Sequence, residues 1–127
     1  MGLKTEKIGA KLWKITLTYY ITVDGEQYVI ARGFLTDGAS NVRVLWSLCP
    51  PMSGLTAEPA VLHDWLYSLN CTLPLTRKQA DQIFYQAMIE AGVSKLRAKA
   101  VYYGVRMGGA SSFRKNYSIF KLTGAYK

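Results

Sequence analysis

The chain has 127 residues, half of them apolar, which is enough for one hydrophobic core and too little for two ordinary domains, so a single domain over 1–127 is expected. No run approaches the roughly eighteen apolar residues of a membrane span, and the N-terminus lacks the basic start, apolar block and cleavage site of a secretory signal. The net charge of +8 is confined to one end: residues 1–94 balance, while Lys95, Arg97, Lys99, Arg106, Arg114, Lys115, Lys121 and Lys127 have no acidic residue among them.

Residues 11–35 predict a β-hairpin. Trp13, Ile15, Leu17, Tyr19, Ile21 and Val23 alternate with Lys14, Thr16, Thr18, Tyr20 and Thr22, and Asp24-Gly25 is a two-residue turn signal. A turn that tight sets Ile21 opposite Tyr28, Tyr19 opposite Ile30, Leu17 opposite Arg32 and Ile15 opposite Phe34. One face is then apolar except for Arg32, whose nearest candidate partner is Asp37.

Thr36-Asp37-Gly38-Ala39-Ser40 opens a turn-rich loop over 36–47, in which Val42, Val44, Leu45 and Trp46 fit a short helix capped by Ser40 or Asn41 and stopped by Pro50-Pro51. Pro59 just inside the start predicts a helix over about 57–69. Thr76-Arg77-Lys78-Gln79 has capping-box spacing, and Ala80, Ile83, Phe84, Ala87, Met88 and Ala91 give a stripe ended by Gly92, a helix over 76–91. A third helix, 94–107, carries Leu96, Ala100, Val101, Tyr103, Gly104 and Met107. A basic segment, 110–127, follows. These elements make an α+β fold, an N-terminal antiparallel hairpin or small sheet packed on about three α-helices.

His63, the lone histidine, lies in the apolar run Val61-Leu62-His63-Asp64-Trp65-Leu66-Tyr67. Neighbouring side chains on a helix diverge by about 100°, so His63 and Asp64 address different subsites, whereas Tyr67 shares the His63 face. A buried histidine needs a partner, and Asp81 in the next helix is the natural one. A carboxylate on one ring nitrogen fixes the tautomer and leaves the other nitrogen as a base. The same three polar groups also fit a structural network that locks two helices together. Cys49 and Cys71 lack metal or redox spacing and are expected as thiols.

Phe34-Leu35-Thr36-Asp37-Gly38-Ala39-Ser40 with Arg43 and Trp46, then Val61 to Tyr67, Ala80-Asp81-Gln82-Ile83-Phe84 and Arg106-Met107-Gly108-Gly109, resemble the phage- and prophage-associated domain of unknown function numbered 1353. Val42 stands where a proline is usual. The resemblance implies a bacteriophage origin and a place in the host bacterial cytoplasm during infection or in the virion.

His63-Asp64-Trp65-Leu66-Tyr67 followed by Ala80-Asp81 is also similar to the His-Asp-x-x-Tyr and later Asp of phospholipases A2. That resemblance implies His63 as the base that activates water, Asp81 as its orienter and Tyr67 as a hydrogen-bond donor to Asp81. It further implies Asp64 as a ligand of Ca2+, with carbonyls of the Asp37-Gly38-Ala39 loop completing the set. Function is then a calcium-assisted lipid-ester hydrolase held on an anionic membrane by the basic C-terminal segment. The alternative is a non-catalytic virion, tail or host-factor-binding protein that uses Tyr117, Phe120 and Tyr126. Nucleic-acid binding through Arg114, Lys115 and Lys121 interleaved with Phe113, Tyr117 and Phe120 is a third reading.

Overall fold

The computed structural model describes residues 4–9, 12–36, 57–68 and 71–108. The order is β1 (Thr5–Gly9), β2 (Leu12–Ile15), β3 (Tyr19–Val23), β4 (Glu26–Ile30), β5 (Leu35–Thr36), α1 (Ala57–Tyr67), α2 (Arg77–Ala91) and α3 (Lys95–Gly108). The fold class is α+β, with small antiparallel sheets ahead of three helices. The expected loop beyond Thr36, the short helix expected within it and the basic segment 110–127 lie outside the described residues.

The hairpin turns at Asp24 and Gly25, both at positive φ (50° and 81°), as a two-residue turn between right-twisted strands requires. β3 and β4 pair Tyr19 with Ile30 and Ile21 with Tyr28, the register expected. The ladder is not continuous, however. It breaks at 16–18 and 31–34 and resumes with Lys14 opposite Leu35, so the residues form a two-stranded sheet β3-β4 and a three-stranded sheet β1-β2-β5.

The break turns on Gly33, whose φ of 93° is open to glycine and costly for other residues. Its amide donates to the Ile15 carbonyl at 2.7 Å, and the Ile15 amide donates to Phe34. The expected Leu17–Arg32 pair on the apolar face is therefore wrong. Both side chains are exposed, which spares the fold a buried guanidinium, and Asp37 lies outside the described residues. β1 was not expected. It is an edge strand in which Glu6, Lys7 and Ile8 are exposed, bulged between Lys7 and Gly9, with the Lys7 ammonium 5.7 Å from the Trp13 ring centre.

α2 is the central helix, packed against α1, α3 and β3. Its N-cap is Thr76: the hydroxyl accepts from the Gln79 amide at 3.1 Å, and the Thr76 amide donates to the Gln79 side chain at 2.8 Å. At the other end Gly92 adopts φ 103°, donating to Ile89, while Val93 donates to Met88. This is a Schellman stop, closed by burial of Val93 beside Met88. The Asp24 amide at the hairpin turn donates to Glu90 at 2.8 Å, tying the sheet to the end of α2.

Among the described residues the core has two parts. Ile15, Tyr19, Val23, Ile30 and Phe34 from the strands meet Val61, Leu62, Leu66 and Tyr67 of α1, with Phe34 edge-on to Trp65 at 5.0 Å. Phe84 and Met88 of α2 meet Ala98, Val101 and Val105 of α3. This corrects the stripe expected for α3: among its members only Val101 is buried, and Leu96, Tyr103 and Met107 face solvent.

Candidate functional site

α1 places its polar residues in the seam between these two cores. Pro59 falls in its first turn, where the missing amide costs nothing, and Glu58 suits the helix N-terminus. Glu58 also accepts the Tyr19 hydroxyl; burial, then that bond, push the Tyr19 phenol well above its ordinary pKa. One turn further on, His63 is 4% exposed and its ring lies between those of Tyr67, at 4.1 Å, and Phe84, at 4.5 Å.

Asp81, in the second turn of α2, is fully buried. Its Oδ1 lies 2.8 Å from His63 Nε2 and accepts the Tyr67 hydroxyl at 2.6 Å. Its Oδ2 accepts from Arg106 Nη1 of α3 at 2.8 Å, with Arg77 Nη1 at 3.6 Å. Arg77 also donates to Tyr67 Oη at 3.4 Å and to the Val105 and Arg106 carbonyls at 3.2 Å each. Those two carbonyls belong to the last turn of α3, where helix geometry leaves acceptors without intrahelical donors. Arg77 is thus the side-chain cap of α3.

The electrostatics follow from this arrangement. Burial opposes ionisation of Asp81 and is the largest single influence. The bonds from His63, Tyr67 and Arg106 together outweigh it and hold the carboxyl below its usual pKa. An ionised Asp81 is acceptor only, so Nε2 of His63 carries the shared proton, and the tautomer this selects has its lone pair on Nδ1. Nδ1 has no hydrogen-bond partner among the described residues. Burial, then the Asp81 bond, raise the Tyr67 phenol well above its ordinary value, so it stays a donor. The bond to Asp81 likewise raises the Arg106 guanidinium.

Of the residues singled out from sequence, His63, Asp81 and Tyr67 are brought together. Asp64 is half-buried on the adjoining side of α1 and makes none of the contacts to Asp81. Asp37 and Gly38 lie outside the described residues. Sequence reasoning missed Arg77 and Arg106 as members of the site. Arg77 stands one helical turn before Asp81, a spacing at which cation and carboxylate meet, and that signal was available. No group of three or more His, Cys, Asp or Glu side chains that could hold a metal ion occurs among the described residues. A hard cation wants about six to eight oxygen ligands, and of the expected set the described residues offer the Asp64 carboxylate alone.

Residues 13–105 match the family described as "Protein of unknown function (DUF1353)". A curated relative, "Uncharacterized protein y4iH" of Sinorhizobium fredii (strain NBRC 101917 / NGR234), is 29% identical over 87 residues, which is 68% of this chain and 35% of that protein. The chain therefore spans about a third of the length of that relative. No solved structure matches. None of the described helices is long and apolar enough to cross a membrane. With the family match covering most of its length, the chain belongs to the DUF1353 family.

Proposed function

We propose that this member of the DUF1353 family hydrolyses carboxylic esters of lipids, in the manner of the phospholipases A2 that its His-Asp-x-x-Tyr helix resembles. One observation carries the reading: Asp81 Oδ1 receives both His63 Nε2 and the Tyr67 hydroxyl, at 2.8 and 2.6 Å, which orients the ring and leaves Nδ1 as the basic atom. In that chemistry a water gives its proton to His63 Nδ1 as its oxygen bonds to the ester carbonyl carbon. The tetrahedral adduct then collapses, the bond to the alkoxide breaks, and His63 returns the proton to the leaving oxygen. The products are a carboxylic acid and an alcohol. Asp81 stays ionised throughout; it holds the ring and balances the imidazolium.

Calcium enters this reading through the resemblance, with Asp64, Asp37 and the Gly38 carbonyl as the proposed ligands. Bound there, it would polarise the ester carbonyl. A bacteriophage origin and action at an anionic membrane surface belong to the same proposal. Purified full-length protein, incubated with phospholipid vesicles, is expected to release fatty acid with calcium and not with a chelator. Absence of release under both conditions sinks the hydrolase.

The burial of His63 between two aromatic rings, with Asp81 faced by two guanidiniums, favours a second reading. There the network only locks the three helices, and the chain is a non-catalytic phage virion, tail or host-factor-binding component. That reading expects no release, and loss of stability when the network is cut.

A further inference from the structure

The solvent side of α3 carries a feature that packing among the described residues does not require. Leu96, Tyr103 and Met107 are 83%, 61% and 87% exposed, and Ala100 between them is exposed as well. Their spacing of four, three and four residues puts all four on one stripe along the helix. The core face, made of Ala98, Val101 and Val105, lies on the opposite side. Isolated exposed apolar residues are ordinary, whereas a continuous stripe of large ones marks a contact surface. Tyr103 is also braced: its ring stands edge-on to Tyr102 at 5.3 Å, and Tyr102 stands edge-on to Tyr85 at 5.8 Å.

Charge selects the occupant. α3 has no acidic residue. Helical spacing sets Lys95 and Lys99, both exposed, along one border of the stripe and Arg97 along the other. A second copy laid face to face would oppose like charges, and so would the segment 109–127, which is basic and without acid. A negatively charged surface matches. An apolar strip on a convex helix, edged by long cations and carrying a tyrosine, suits the boundary between headgroups and acyl chains better than a pocket for a protein side chain.

We propose that the outer face of α3 docks on an anionic lipid bilayer, with Leu96, Tyr103 and Met107 entering the headgroup boundary while Lys95 and Lys99 meet lipid phosphates. The proposal adds to the hydrolase reading the face turned to lipid. It also stands without that reading, because binding is measured with no turnover.

Full-length protein with chelator present is floated with vesicles of equimolar phosphatidylglycerol and phosphatidylcholine, and with phosphatidylcholine vesicles alone. Binding to the anionic vesicles is expected, about tenfold or more above the neutral ones, and weakening as salt rises. The double variant Leu96→Ser/Met107→Ser is expected to lose about tenfold or more while its circular dichroism and melting stay as in the wild type. Lys95→Gln/Lys99→Gln is expected to lose the preference for anionic lipid. Three results would overturn the proposal: no binding by the wild type, full binding by the Leu96/Met107 variant, or a concentration-dependent dimer that the same variant dissolves while vesicles stay bare.

Discussion

Arg106 donates from the last turn of α3 to Oδ2 of Asp81 at 2.8 Å, on the oxygen that His63 does not use. One buried carboxylate on α2 is therefore shared by all three described helices. The geometry divides its duties: one oxygen for the imidazole and phenol of α1, the other for the guanidinium of α3. Cutting the Arg106 contact should loosen α3 and leave the His63 contact standing. Because the Arg106 side chain is 28% exposed, solvent screens the pair, and Arg106→Met is expected to cost about 1–2 kcal/mol in urea unfolding rather than the full value of a buried ion pair. A loss within about 0.3 kcal/mol would show that Arg106 is ornamental to the fold.

Asp81→Asn removes the anion from three donors at once. A loss of about 3–5 kcal/mol is expected, because His63, Tyr67 and Arg106 are left beside a neutral amide. The acid behaviour should change as well. The folded carboxyl holds its proton less firmly than the unfolded one, so acidification favours the unfolded chain. The contribution of Asp81 is complete above its unfolded value of about 4 and disappears as pH falls through the lower folded value. Urea midpoints measured from pH 6 downward should fall more steeply in the wild type than in Asp81→Asn. Parallel curves would contradict the ionised clamp.

The two ends of α2 give a control away from the site. Thr76→Ala is expected to cost about 1 kcal/mol by removing the acceptor for the Gln79 amide. Gly92→Ala should cost at least about 1 kcal/mol, since its left-handed φ of 103° strains any residue with a Cβ. Neither is expected to alter ester hydrolysis once melting is allowed for. A specific loss of turnover in either would mean that α2 transmits more than position.

The sequence made some of this legible for physical reasons. Thr76 with Gln79, and Gly92 after the last apolar position, are local chemistry that acts wherever the helix packs. The pairings of Tyr19 with Ile30 and Ile21 with Tyr28 followed from the tightness of the Asp24-Gly25 turn. His63 and Asp81 were legible because a histidine in an apolar helix must find a partner. β1 was not, since it is an edge strand in which Glu6, Lys7 and Ile8 are all exposed and show no buried alternation to reveal it. α3 was read on its wrong side: its large apolar residues face solvent, and small Ala98, Val101 and Val105 suffice where the helix lies close to Phe84. Arg106 was counted among the unbalanced cations of the C-terminal end and placed in the family pattern, but not in the site, because charge counted along the chain takes no account of a carboxylate 25 residues away.

The most direct measurement sets catalysis against packing at His63. His63→Asn removes the imidazole and keeps a polar amide in the seam. Fatty-acid release from phospholipid vesicles, measured with calcium and beside the melting curve of the same preparation, is expected to fall by about a hundredfold or more at temperatures where the variant is still folded. Release equal to the wild type from folded His63→Asn would contradict the base assigned to Nδ1 and leave the Asp81 network as a lock between helices.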